Sequence, residues 1–185
     1  MKRIPLLVAA AAAVAVIGSV TRDAHALGPI DLELGAKVGA GTAPSNSGPI
    51  NPLGFGLGGR GGVSFFGIYA GVDAMYYLGG SQTIDGEKVS LHTVMYGLDL
   101  GYNFKIAILT IRPLLGIGNF VVSSSPSSGN ESNLYLEPGV TALVSLGTLF
   151  VGADANLLVL PGINGPTGSS TETAFTVHGQ VGVRF

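Results

Sequence analysis

The chain has 185 residues, a length that suits one domain, and is 46% hydrophobic and only 11% charged, with a mean hydropathy of +0.50. A formal net charge of −2 leaves no basic surface to hold nucleic acid, and so apolar a composition excludes a disordered chain despite 30 glycines. With no cysteine, neither a disulfide framework nor a thiolate metal site is available.

Met1-Lys2-Arg3 is a short basic start, followed by an apolar, Ala- and Val-rich run from Ile4 to Val20 and then by Ala24-His25-Ala26. This order predicts a secretory signal peptide over 1–26 with cleavage after Ala26, so that the mature domain is 27–185 and begins at Leu27. The apolar run is slightly shorter than the roughly 20 residues of a helical membrane span. Removal of Lys2, Arg3, Arg22 and Asp23 leaves 6 basic against 10 acidic residues, net −4.

Beyond residue 26 the helical period is absent and period-two alternation recurs, interrupted by clusters of Gly, Ser, Pro, Asn and Thr. Eight strands are predicted, over 30–40, 54–65, 68–77, 90–102, 109–122, 133–144, 149–159 and 174–185, each near the 9–11 residues of a tilted membrane strand. The connections at 66–67, 103–108 and 145–148 are short. Those at 41–53, 78–89, 123–132 and 160–173 are long and polar. Strict alternation of short and long connections is the wiring of an up-and-down membrane barrel, with long loops outside the cell and both termini in the periplasm.

The charges choose the solvent for each face. In the last strand Phe175, Val177, Gly179, Val181, Val183 and Phe185 alternate with Thr176, His178, Gln180, Gly182 and Arg184. Followed through all eight strands, one face collects Asp31, Glu33, Lys37, Arg60, Asp73, Asp99, Arg112, Glu137, Asp154 and Arg184, and the other collects no charge. The remaining mature charges, Asp85, Glu87, Lys88, Lys105, Glu131 and Glu172, fall in predicted connections. Alternation alone also suits a soluble lipocalin-like barrel with its apolar face inward. The polar face here, however, is crowded with glycine, including Gly35, Gly39, Gly56, Gly58, Gly62 and Gly71, which leaves room for long side chains inside a narrow tube. The polar face is therefore assigned to the lumen and the apolar face to lipid. Phe65, Tyr102, Phe104 and Phe185 near the short-turn end, with Tyr76 and Phe175 near the other, fit interfacial girdles.

Within the lumen, Arg112 and Glu137 lie on adjacent predicted strands and are expected to pair. Arg60 or Arg184 is expected near Asp99 or Asp154, with Asp73, Lys37 and Glu33 completing the network. Gly54-Phe55-Gly56-Leu57-Gly58-Gly59 formally spells a dinucleotide-binding pattern, but no helix follows to receive a phosphate. His178 and His92 lack a second ligand at metal spacing, and Ser90 and His92 lack an acidic partner on their phase, so neither a metal centre nor a catalytic triad is expected. No cofactor is expected.

Gly179-Gln180-Val181-Gly182-Val183-Arg184-Phe185, Ile111-Arg112-Pro113-Leu114-Leu115-Gly116-Ile117-Gly118 and Leu136-Glu137-Pro138-Gly139 resemble strand segments of the small eight-stranded outer-membrane β-barrel proteins. The resemblance covers 27–185. It implies an all-β, antiparallel transmembrane barrel in the outer membrane of a Gram-negative bacterium, with the terminal Phe185 offered to the outer-membrane assembly machinery. That family includes structural anchors, adhesion-related proteins, small-solute carriers and a few lipid-modifying enzymes. The leading reading is a non-enzymatic structural or surface-interaction barrel whose lumen is plugged by its own side chains, surrounded by outer-membrane lipid and with its loop partner open. The alternatives are a narrow pore or carrier for a small solute, because eight strands leave space for side chains or one small ligand, and a lipid-modifying enzyme. Mass spectrometry of the membrane-extracted protein should find Leu27 as the first residue; retention of Met1 would overturn the signal-peptide assignment.

Overall fold

The computed structural model describes residues 30–45, 50–84, 87–125, 130–165 and 168–185. The expected signal peptide and its cleavage point after Ala26 lie outside the described residues. Among them, nine strands form one antiparallel sheet: β1 (Ile30–Gly41), β2 (Phe55–Phe65), β3 (Ile68–Ile84), β4 (Glu87–Tyr102), β5 (Phe104–Ile106), β6 (Leu109–Ser125), β7 (Asn130–Leu146), β8 (Leu149–Gly165) and β9 (Gly168–Arg184). Strand order is β4-β3-β2-β1-β9-β8-β7-β6-β5, and an additional β4–β6 pairing closes the sheet. Eight long strands thus make the barrel. β5 is a three-residue stub that pairs with the start of β6.

The eight strands expected from alternation are all present in the expected phase, but three of the four long connections shrink. Most of 78–89, 123–132 and 160–173 is strand, because the ladders β3–β4, β6–β7 and β8–β9 continue beyond the barrel as hairpin ribbons. Ser, Thr, Asn and Gln in these stretches read as loop in isolation, yet their backbones pair as readily as any others once the hairpin is in register. The register shifts between Leu78 and Ser81 and between Leu160 and Ile163, at Gly79-Gly80 and Pro161-Gly162, where residues of weak strand propensity permit a bulge.

At the other end the turns are tight. Phe66 and Gly67 both have positive φ, 49° and 87°, as a two-residue hairpin of the right twist requires. A Cβ on Gly67 would also meet the Tyr102 ring at 3.0 Å. Exposed Phe65, Phe66, Tyr102 and Phe104 cluster here, Tyr102 and Phe104 edge to face at 4.9 Å between centroids. Phe185, beyond the end of β9, still exchanges two backbone hydrogen bonds of 2.9 Å with Leu32.

Burial alternates with period two around the barrel. On β1, Glu33, Gly35 and Lys37 are buried while Leu32, Leu34 and Val38 stand outward and exposed. On β9, Thr176, His178 and Gln180 are buried while Phe175, Val177 and Val181 are exposed. The wall is therefore apolar outside and the interior polar, the reverse of a water-soluble barrel. Among the described residues the only buried apolar cluster lies toward the long-connection end, where Leu53 packs with Met75, Tyr77, Met95, Phe120, Tyr135, Leu158 and Leu160.

Val181, 52% exposed, is on the outer wall and pairs with Val151 and with Ala36, which lies in the middle of β1. Val181→Arg should impair refolding into lipid vesicles, a midplane cation costing about 2–4 kcal/mol. Gln180→Arg places its charge inside, where Gln180 already reaches Asp154, and should be milder; equal effects would contradict the assigned faces.

Candidate functional site

The inward face of the barrel gathers the titratable residues, and it does so in layers. Nearest the short turns, three guanidiniums converge on one carboxylate. Glu33 on β1 accepts from Arg112 Nη2 (β6) at 2.7 Å, from Arg60 Nη2 (β2) at 2.5 Å, and from Arg184 Nε and Nη2 (β9) at 3.0 and 2.7 Å. β1 and β6 are not neighbours in the sheet, so the Arg112–Glu33 pair crosses the bore. Arg112 also donates through Nε to Asn103 Oδ1 at 2.6 Å, and Asn103 donates to Ser64. The Arg112 guanidinium carbon lies 3.7 Å from the centre of the Tyr69 ring, within cation–π range. That ring can lie against the wall only because positions 62 and 71 are glycine. A Cβ on either would collide with the ring or hydroxyl of Tyr69.

One layer up, Lys37 (β1) donates to Asp73 (β3) at 2.9 Å and lies 3.5 Å from Asp154 (β8). His178 Nδ1 is 2.5 Å from Asp154 Oδ1, and its Nε2 is 2.6 Å from the Tyr77 hydroxyl. A carboxylate can only accept, so Nδ1 carries a proton; in the neutral ring Nε2 then accepts from Tyr77. Gln180 and Asn156 donate further hydrogen bonds to Asp154. Glu137 accepts from Thr176 Oγ1 at 3.1 Å.

At the top, residues 50–54 turn back over the bore. Asn51 donates to Gly41 O and accepts from Leu53 N, Gly80 N donates to Asn51 O, and Thr93 Oγ1 donates to Pro52 O, all between 2.7 and 2.9 Å. These bonds hold Leu53, fully buried, against the apolar cluster.

The expected network is only partly the one found. Arg112 does not pair with Glu137: in the β6–β7 register Arg112 faces Thr141 and Glu137 faces Gly116, four residues apart on β6. At about 3.3 Å per residue that separates them by roughly 13 Å along the strand. Nor do Arg60 and Arg184 pair with Asp99 or Asp154, since both turn to Glu33. Asp99 makes no ion pair among the described residues, and Asp154 is taken by Lys37 and His178. Glu172, expected in a loop, lies on β9 in the inward phase and is buried. Lys88, Lys105 and Glu131, also expected in connections, lie on β4, β5 and β7, and Lys105 forms an exposed ion pair with Asp31 at the short-turn rim. Tyr69, Tyr77 and Asn103 are not among the residues expected in the network, and Thr176, expected on the inward face, proves to be the hydrogen-bond partner of Glu137. All four sit on the inward phase or at its rim, but a tyrosine in a strand carries no signal of which charge it serves.

Neither protein-family profiles nor curated protein sequences give a match. Among solved structures, Neisserial surface protein A aligns at 12% identity with a TM-score of 0.60, over 85% of this chain and 97% of that one. The N-terminal β-barrel domain of Pseudomonas aeruginosa OprF aligns at 15% and 0.57, over 84% and 97%. A major outer-membrane protein of Thermus thermophilus aligns at 13% and 0.53, over 84% and 99%. The chain has the fold of the small outer-membrane β-barrels, eight-stranded and entirely antiparallel.

Removing the shared acceptor should be far more damaging than removing an exposed one. Glu33→Gln leaves three inward arginines without their carboxylate and should cost about 3–5 kcal/mol of stability in detergent. Asp31→Asn breaks only the exposed pair with Lys105 and should cost about 0–1 kcal/mol. Urea unfolding midpoints of the two variants measure the difference, and equal midpoints would count against the role of Glu33.

Proposed function

We propose that this chain is an integral outer-membrane β-barrel of a Gram-negative bacterium, exported with a signal peptide cleaved after Ala26, that works as a non-enzymatic structural or surface-interaction barrel with its lumen plugged by its own side chains. The observation that carries this reading is the transverse packing of the interior: Arg112, fully buried, reaches across the bore to Glu33, while Leu53, fully buried, sits in the apolar cluster toward the other end. Both layers would have to part before a solute could pass. The apolar outer wall supports residence in lipid, since Leu98, Leu100, Ile68 and Val72 are each more than half exposed. Recognition in this reading falls to the ribbons above the barrel, and the loop partner stays open.

The buried Tyr77–His178–Asp154 chain resembles a catalytic relay in its hydrogen bonding alone. Tyr77 and His178 are at most 1% exposed and Asp154 is 4% exposed, enclosed beneath the apolar cluster, so no substrate bond is brought to them. The chain serves in this reading as a structural brace linking β3, β8 and β9.

Reconstituted in planar bilayers, the protein should give no steady conductance above background; reproducible unitary steps would overturn the plugged reading in favour of a narrow pore. Phe185 is proposed as the residue read by the outer-membrane assembly machinery, and its backbone bonds to Leu32 mean that deletion would also weaken closure between β9 and β1. Phe185→Ala keeps those bonds. It should refold in detergent nearly as well as the parent while reaching the outer membrane in lower amount, and normal surface levels would remove the assembly role.

A further inference from the structure

The layer at the short-turn end is unbalanced in charge. Arg60, Arg112 and Arg184 bring three positive charges to a single carboxylate, Glu33, and no other acid lies within 4 Å of any of them among the described residues. Asp73, which faces Arg60 across the β2–β3 register, turns instead to Lys37. Within ion-pair distance the excess is two positive charges, offset in part by Asp99 farther off, in a part of the bore where Arg112 is fully buried and Arg60 is 4% exposed.

The same layer holds hydrogen-bond donors that the protein does not use. Arg60 Nε, Arg112 Nη1 and the Tyr69 hydroxyl are all buried, and none has a protein partner among the described residues. They surround one ring: the guanidinium carbons of Arg112 and Arg60 lie 3.7 and 5.4 Å from the centre of Tyr69. The faces of Tyr69 and Phe150 offset part of the cationic charge. They supply no lone pair for the remaining N–H and O–H groups, and buried donors of this kind are almost always satisfied.

We propose that this arginine layer is a binding site for a small monovalent anion of halide size, held by Arg60, Arg112 and Tyr69 and reached from the short-turn end past Arg184. Unlike its two companions, Arg184 has 13% of its side chain exposed, and its backbone bonds Thr148 in the short β7–β8 turn, which places it at that mouth. A halide matches both deficits: its charge lowers the local excess, and it accepts several hydrogen bonds without the directional demands of a carboxylate. A large or multivalent anion would need more room than a layer crossed by the Arg112–Glu33 pair leaves. The site is independent of whether the barrel conducts, because it requires only that these three side chains face inward.

Two measurements test it. Thermal unfolding of the full barrel in detergent, with chloride exchanged for gluconate at constant sodium, should show an unfolding temperature that rises with the logarithm of chloride once the site begins to fill. In Tyr69→Phe, which keeps the ring and removes one donor, the same curve should be displaced by about tenfold toward higher chloride. Lys88→Gln, an exposed cation beyond the barrel at the opposite end, should leave it unchanged. No chloride dependence in the parent protein, or identical curves for the parent and Tyr69→Phe, would overturn the proposal. Crystals of the parent protein grown in bromide provide a test that depends on no variant folding. An anomalous peak within hydrogen-bonding distance of Arg60 Nε, Arg112 Nη1 or Tyr69 Oη is expected, and bromide sites only elsewhere would overturn it.

Discussion

Pairing of β4 with β6 joins the two ends of the sheet, and through it each of the eight long strands has hydrogen-bonded neighbours on both sides. A sheet left open at that seam would present two rows of unpaired N–H and C=O groups, which an apolar surrounding cannot satisfy. Closure removes the edges and, by the period of the strand, splits the side chains into two environments. Leu, Val, Ile and aromatic residues fill the outer one, where they remain exposed. The charges within the barrel fall to the inner one, so the solvent that tolerates this wall is lipid.

Closure at eight strands also makes the interior narrow, and this decides who pairs with whom. Long side chains span the bore, so some partners come from strands that are not neighbours: Arg112 on β6 with Glu33 on β1, Lys37 on β1 with Asp73 on β3, Tyr77 on β3 with His178 on β9. Glycine makes that possible. Gly62 and Gly71 leave the space in which Tyr69 lies flat enough for Arg112 to stack on it, and the wall thereby becomes part of the ion-pair layer.

The two ends of the barrel solve different problems. The short-turn end is aromatic outside, with a left-handed Phe66-Gly67 pair in the two-residue β2–β3 turn. The opposite end extends as ribbons rich in polar residues, and inside it Leu53, carried on a strap bonded to β1, β3 and β4, packs into the apolar cluster. Charge is thus concentrated toward one mouth and apolar packing toward the other, with the Lys37–Asp154–His178–Tyr77 chain between them.

Much of this fold was legible in the residue order. The phase of every barrel strand follows from alternation, because a strand's side chains point to opposite faces with a period of two whatever the strand pairs with. The inward position of Glu33, Lys37, Arg60, Asp73, Arg112, Glu137, Asp154 and Arg184 was therefore readable in advance. The turn Phe66-Gly67 was readable as well, being local, and the short connection expected over 145–148 contains the turn found between Leu146 and Leu149. What tertiary structure alone decided is the axial register and everything that crosses the bore. Arg112 and Glu137 share a face and neighbouring strands, yet the hairpin register separates them by four residues, while Glu33, far away in sequence, lies opposite. The ribbons escaped notice because Ser, Thr and Asn carry the same local signal in a loop and in a solvated hairpin. The placement of Leu53 was hidden for a similar reason: its burial depends on a chain reversal held by bonds to β1, β3 and β4, strands separated in sequence, and on packing against residues such as Leu158 and Leu160 from the far side of the barrel.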